Sequence, residues 1–108
     1  MIAIKIYKTA AGEIYGFSAD SHGSGIVCAA VSILIQNTVN SIERFTEDKF
    51  ECDYIESGGH LEFNHPLIRS GGESRDASLL LNSMALGLHG VRDRYKKEIV
   101  IITEADND

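Results

Sequence analysis

The chain has 108 residues, of which 44% are hydrophobic and 24% are charged, as is ordinary for one soluble globular domain. Its formal net charge of −6 argues against direct binding of a nucleic acid, because phosphate-backbone binding needs clustered Lys and Arg. The start of the chain lacks the apolar run of a signal peptide, and no segment approaches the roughly 18 apolar residues of a membrane helix. We therefore expect a cytoplasmic protein, without a membrane partner, whose two cysteines stay free.

Two strands and a long helix are predicted in the first half of the chain. Isoleucines alternate along Ile2–Lys8, and a second strand is predicted over residues 13–19, after a turn at Gly12. A polar, glycine-rich break follows, and apolar residues then recur at helical spacing over residues 26–45. The first half of this helix is apolar nearly all round, which predicts that most of its sides are buried.

Two strands, a second helix and a last strand are predicted in the second half. The strands span residues 50–55 and 60–64 and are joined by a glycine-containing hairpin turn, and the helix spans residues 73–95 after a loop. The last strand, residues 98–103, is so apolar that we expect it to be buried on both faces or central in the sheet. Residues 104–108 are predicted to be a disordered acidic tail.

The order ββαββαβ predicts an α+β domain. Two helices would cover a mainly antiparallel sheet in a two-layer sandwich, with residues 1–103 as a single domain. The first helix is apolar on more sides than one sheet can cover, so a homodimer is also expected.

Cys28 is the strongest candidate for a nucleophile because it falls in the first turn of the predicted helix. The free N–H groups and the positive dipole end of that turn favour an anion such as a thiolate, and the same N–H groups could hold an oxyanion. His22 precedes Cys28 with five residues between them, so the chain permits it to act as the base. Two alternatives stay open. A cysteine in an apolar helix is often a small core residue, and a histidine in a polar loop is often just a solvated side chain.

The other reactive side chains show no ligand spacing. Cys52 alternates with Phe50 and Tyr54 on one strand and is predicted to be a core residue. No C-x-x-C or H-x-x-H pair accompanies His60 and His65, so no metal site is expected. The glycines before the first helix lack both a P-loop lysine and a dinucleotide-binding pattern, so no cofactor is expected.

Taken together, these residues resemble the bacterial ribosomal-processing cysteine protease Prp family. The resemblance covers essentially the whole chain, from the first strand to the second helix, and includes the Ser57-Gly58-Gly59-His60 turn. Its most specific element is the string Ile26-Val27-Cys28-Ala29-Ala30-Val31-Ser32.

The resemblance implies a cytoplasmic, homodimeric cysteine endopeptidase. Such proteases remove an N-terminal extension from the large-subunit ribosomal protein numbered twenty-seven, cutting after a pair of aromatic residues and before a small one. The catalytic cysteine and histidine of the family match Cys28 and His22. The basic residues of the processed ribosomal protein would suit an acidic enzyme.

Three further residues are candidates for a supporting or substrate-binding role. Ser32 lies one helical turn after Cys28 on the same face, where it could support the site or bond a backbone carbonyl. Gly23 and Ser24 belong to the loop between His22 and Cys28, which is shorter than is usual in the Prp family. The short loop keeps open an alternative function, a non-catalytic ribosome-associated binding module of the same fold.

Overall fold

The computed structural model describes residues 1–20, 25–55 and 59–106. These residues form five strands and three helices, which follow one another along the chain in the order ββαββααβ. The elements are β1 (Ile2–Lys8), β2 (Ile14–Asp20), α1 (Gly25–Phe45), β3 (Glu51–Ile55), β4 (His60–Asn64), α2 (Pro66–Arg69), α3 (Arg75–Arg94) and β5 (Ile99–Ala105).

The five strands form one mixed sheet in the order β3-β4-β2-β1-β5. Three of the four neighbouring pairs are antiparallel, and β1 pairs with β5 in parallel. The long helices α1 and α3 pack against each other and bury their apolar stripes against one face of the sheet. This arrangement confirms the predicted α+β class and its two layers.

The core lies between the helices and the sheet face that alternate strand residues present to them. Ile4 and Ile6 of β1 are fully buried there, and the rings of Phe17 and Phe63 stack with centroids 5.1 Å apart. The helices can approach closely at Gly87, where a Cβ atom would lie 3.0 Å from a methyl group of Leu34. The core thus holds α1 in a fixed position above β2 and β4.

Three expectations about burial were wrong. Strand β5 is an edge strand, not a central one, and its outward residues Val100 and Ile102 are 38% and 48% exposed. Helix α1 is buried along one stripe only, because the sheet covers one side, and Ile26 is 75% exposed. Cys52 is exposed rather than part of the core, and so are the other residues of β3.

Most element boundaries differ from the predicted ones by one or two residues, and two differences change the description of the fold. The loop after β4 contains the short helix α2, which begins at a proline and is capped by the side chain of His65. Strand β5 ends at Ala105, so Glu104 and Ala105, which were assigned to the acidic tail, pair with the end of β1. Residues 107–108 lie outside the described part of the chain.

Helix α1 has the length and composition that a membrane span requires, and within the described residues it is the one helix that does. The expectation that no segment approaches this length was therefore too strict. Its stripe at Val27, Val31 and Ile35 is buried against the sheet, as in the packed helix of a globular domain.

Candidate active site

Cys28 lies where its sequence position predicted, in the first turn of α1. The helix begins at Gly25, whose φ of 75° is the left-handed conformation that favours glycine. No acidic residue occupies the first turn, so no carboxylate of the helix competes there for its free N–H groups. The Cys28 side chain is partly buried and packs against the edge of the core.

A groove separates α1 from the strands β3 and β4 on the side of the helix that carries Cys28. Ser32 and Gln36, one and two turns after Cys28, line its helical wall. Tyr54 and Leu61 line its opposite wall, and the cavity at its base has a volume of about 50 Å³. The groove is therefore open and largely apolar, and its helical wall begins one turn after the candidate nucleophile.

Ser32 makes no hydrogen bond to a backbone carbonyl within the described ranges. The contrast is with Thr38 on the same helix, whose Oγ1 donates to the carbonyl of Leu34 at 2.8 Å. Ser32 thus lines the groove, and its hydroxyl is not used within the described part of the helix.

His22, Gly23 and Ser24 lie outside the described residues, and so the candidate base and the loop beside it stay predictions. Asp20, the last residue of β2, and Gly25, the first of α1, are the described residues that flank this segment. Both lie at the end of the sheet where β2 passes to α1 and where β4 begins.

A polar cluster that the sequence analysis gave no role lies at the same end, on the sheet face opposite the helices. His60 Nδ1 is 2.6 Å from a carboxylate oxygen of Asp20, and His60 Nε2 is 3.1 Å from one of Glu62. The hydrogen bond to Asp20, and then that to Glu62, raises the pKa of His60 above its usual 6.5. Strand alternation was the available signal, because it places His60 and Glu62 on one face.

The structure does not bring the remaining cysteine and histidines together as a metal site in the part of the chain that it describes. Cys52 lies on the helix-facing side of the sheet and His60 on the other, while His65 is buried and bonds Asp48 through Nε2 at 2.9 Å. Partial removal from water, and then the charge of Asp53, raises the pKa of the Cys52 thiol above 9.0. Cys52 thus lacks the environment of an activated nucleophile.

The chain is similar in sequence to known proteases. The family profile described as cysteine protease Prp matches residues 1–100. The ribosomal processing cysteine protease Prp of Staphylococcus aureus is 29% identical over 106 residues, which cover 92% of this chain and 95% of that protein. The protein of the same name in Bacillus subtilis is 27% identical over 82 residues, which cover 76% and 73%.

Solved structures share the fold. The S. aureus ribosomal processing protease Prp in complex with a covalently linked product peptide superposes with a TM-score of 0.86 at 24% identity, covering 96% of this chain and 100% of that one. The same protease with a substrate peptide gives a TM-score of 0.84 at 22% identity, with the same coverage. The fold agrees over nearly the whole length, and the family profile extends from the first strand into the last. The chain therefore belongs to the family of the cysteine protease Prp.

Proposed function

We propose that this cysteine endopeptidase removes an N-terminal extension from a large-subunit ribosomal protein, with Cys28 as nucleophile and His22 as base. The observation that carries the assignment is the position of Cys28, at an amide-rich helix start without acidic residues and one helical turn before Ser32, which lines an open groove. The relatives named ribosomal processing cysteine proteases support the substrate class. A binding module without turnover would have no need of such an environment around a thiol.

The proposed reaction proceeds through a thioester. His22 takes the proton from Cys28 Sγ, and the thiolate attacks the scissile carbonyl carbon. Free N–H groups of the first turn of α1 stabilise the resulting oxyanion. The C–N bond then breaks as His22 returns the proton to the leaving amine. Water, deprotonated by His22, cleaves the thioester and regenerates the thiol. No metal or cofactor takes part in any step.

Chain connectivity supports His22 as the partner of Cys28. One residue separates His22 from Asp20, the last residue of β2, and five separate it from Cys28, so the chain is long enough for the two side chains to meet. Asp20 itself is bonded to His60, so we do not assign it as a third catalytic residue.

The groove supports recognition of an extended peptide. Its walls offer apolar surface from Tyr54 and Leu61, which suits the apolar side chains that the family resemblance leads us to expect before the scissile bond. The Ser32 hydroxyl and the Gln36 amide can bond the peptide backbone. We propose Ser32 as a supporting residue on this basis, and keep Gly23 and Ser24 as candidates for the same role.

The charge of the protein supports a basic partner. The sheet face opposite the helices carries five carboxylates, one or two on each of β2, β3, β4 and β5, and Lys5 lies among them 3.7 Å from a carboxylate oxygen of Glu104. This surface repels RNA and attracts a cationic protein. The carboxylates are Asp20, Glu51, Asp53, Glu62 and Glu104. We propose the cytoplasm, where ribosomal proteins are made, as the place of action.

The protein is also proposed to be a homodimer. Helix α1 exposes Ile26 and Ile33, and α3 exposes Leu79 and Leu86, each pair two turns apart on the side away from the sheet. The most exposed of the four is Leu86, at 77%. A second copy placed on these two adjacent helices would cover all four residues.

Light scattering tests the dimer. The unaltered protein should have twice the mass of one chain at micromolar concentration, and Ile33→Asp with Leu86→Asp should reduce it to one. Val100→Asp, at an exposed site on the opposite face of the sheet, is the control and should stay dimeric. A mass of one chain for the unaltered protein would contradict the proposal.

Cleavage of the extended ribosomal protein, followed by mass measurement of the products, tests the function. The rate should follow a bell-shaped pH profile, because both the thiolate and the imidazolium are needed. His22→Ala should remove nearly all turnover and leave the binding of an uncleaved peptide unchanged. Cleavage by His22→Ala at the original rate would refute the assignment of the base.

A further inference from the structure

The cavity at the base of the groove has an apolar lining that comes from both layers of the fold. It is lined by apolar residues of the helix and of the sheet that are buried or partly buried, namely Val31, Ile35, Ala19 and Leu61. Ala19 of β2 and Leu61 of β4 lie opposite each other in the sheet. An apolar hollow with a few polar side chains beside it is the usual form of a pocket that holds an apolar group.

The size of the cavity decides which side chain fits. Its volume is about 50 Å³. One water occupies about 10–15 Å³ of such space, so the cavity has room for about four non-hydrogen atoms. The side chains of leucine, isoleucine and methionine each have four such atoms, whereas the side chain of tryptophan has more than twice as many. The cavity therefore fits an aliphatic side chain, and a large aromatic side chain would extend out of it into the open groove.

Ala19 keeps this space open. It is 5% exposed and lies on the sheet face that packs against the helices. Phe17, two residues earlier on the same face of β2, is fully buried and fills its own space with a ring. A leucine in place of Ala19 would add three carbon atoms to a cavity that has room for about four non-hydrogen atoms.

The distance along α1 relates the cavity to the scissile bond. The helical residues that line it lie between Val31 and Gln36, so they follow Cys28 by about 5–12 Å along the helix axis, with a middle value of about 8 Å. A peptide that extends along the groove advances about 3.3–3.6 Å per residue. The side chain above the cavity therefore belongs to a residue two or three positions from the bond that Cys28 attacks.

We propose that this cavity is a specificity pocket, which takes one aliphatic side chain of the substrate two or three residues from the scissile bond, and that Ala19 sets its size. The inference rests on the proposed function. It adds a substrate preference that the position of Cys28 alone does not provide.

Cleavage of a peptide series tests the preference. Each peptide spans the cleaved bond of the extended ribosomal protein and carries Ala, Leu or Trp at one position within four residues of that bond. At one position two or three residues away, Leu should raise kcat/KM over Ala by about 10- to 50-fold, because three further carbon atoms leave water. Trp at that position should be cleaved about tenfold more slowly than Leu, since it exceeds the cavity.

Ala19→Leu should change the preference without removing activity. Its added carbon atoms fill most of the cavity, so kcat/KM for the Leu peptide should fall about tenfold or more, while that for the Ala peptide should change less than twofold. Ala19→Val adds fewer atoms, disturbs the core less and should give an intermediate preference. Ala3→Leu, the same substitution on the neighbouring strand β1 but on the helix-free face, is the matched control and should keep the preference of the unaltered protein.

The outcomes separate failure of this inference from failure of the proposed function. If the unaltered protein cleaves neither the extended ribosomal protein nor any of the peptides, the proposed function falls and the pocket falls with it. If it cleaves them without a preference for Leu at a position two or three residues from the bond, the pocket alone is overturned. The pocket is also overturned if both Ala19 variants keep the original preference, or lose activity equally on the Leu and Ala peptides.

Discussion

The two cysteines differ in exposure, and the proposed mechanism requires Cys28 to be the more acidic thiol; exposure and acidity predict opposite orders of alkylation. Cys52 is exposed on β3, whereas Cys28 is partly buried at the start of α1. Access alone therefore makes Cys52 the first to react with iodoacetamide. If Cys28 is activated as the mechanism requires, the order is reversed at neutral pH, because the thiolate is the reacting species.

The size of the effect follows from the fraction of each thiol that is ionised. The pKa of Cys52 is raised above 9.0, so at pH 7 less than about 1% of it is thiolate. An activated protease thiol is about half ionised at this pH, which gives about 50-fold more thiolate. A thiolate whose thiol has a pKa two units lower is about tenfold less nucleophilic. This leaves about a fivefold advantage for an activated Cys28 before access is considered.

The assay is timed alkylation of the single-thiol variants Cys28→Ala and Cys52→Ala, followed by mass spectrometry between pH 6 and pH 9. The rate at Cys52 should rise about tenfold for each pH unit between pH 6 and pH 8, since its thiolate is scarce well below a pKa that is raised above 9.0. The rate at Cys28 should be higher at pH 7 and much less dependent on pH. Parallel pH dependence at the two thiols, or faster reaction of Cys52 at pH 7, would refute activation of Cys28.

Further predictions concern catalysis and stability. Cys28→Ala should abolish cleavage and keep the fold, whereas the exposed Cys52→Ala should keep activity and change the unfolding free energy by less than about 0.5 kcal/mol, as urea titration and a cleavage assay would show. His65→Ala should lose about 2–4 kcal/mol in the same titration, because it removes the α2 cap and leaves Asp48 short of a donor. His65→Asn, which can still cap α2, should lose less; an equal loss would contradict the cap. The hydrogen bond from Ser74, and then that from His65, lowers the pKa of Asp48 below 3.8. The stability from this carboxylate is complete above pH 3.8 and should be lost as the pH falls through its lower folded value, whereas Asp48→Asn should show no such loss.

Much of the fold could be predicted because local pattern and tertiary packing agree. The alternating isoleucines of Ile2–Lys8 fix both the limits of β1 and its buried face, and the spacing of apolar residues in α3 predicts the stripe that the sheet buries. The edge position of β5 could not be predicted in this way. An apolar run indicates that a strand can be buried, but it does not determine the place of that strand in the sheet. That place depends on how the helices and the other strands pack.

The same limit explains the errors around the site. Cys52 alternates with apolar residues as a core residue does, yet the helices stop short of β3 and leave it exposed. His60 was predicted to begin a strand and was given no role, because its link to Asp20 joins residues 40 positions apart. The position of Cys28 in the first turn of α1 was predictable because it depends only on the local sequence that starts the helix.

The parallel pairing of β1 with β5 has a consequence for how the chain folds. Ile2 lies opposite Ile99, so the first strand of the sheet receives its second neighbour only after nearly the whole chain has been synthesised. Until then β1, as part of the β1–β2 hairpin, presents an unpaired and isoleucine-rich edge. Contacts at such long sequence separation slow folding, and the open edge is where partly synthesised chains are expected to associate. Substitutions that add charge to the outward face of β1 should therefore raise the yield of soluble protein more than equivalent changes on β3, whose edge stays open in the folded state.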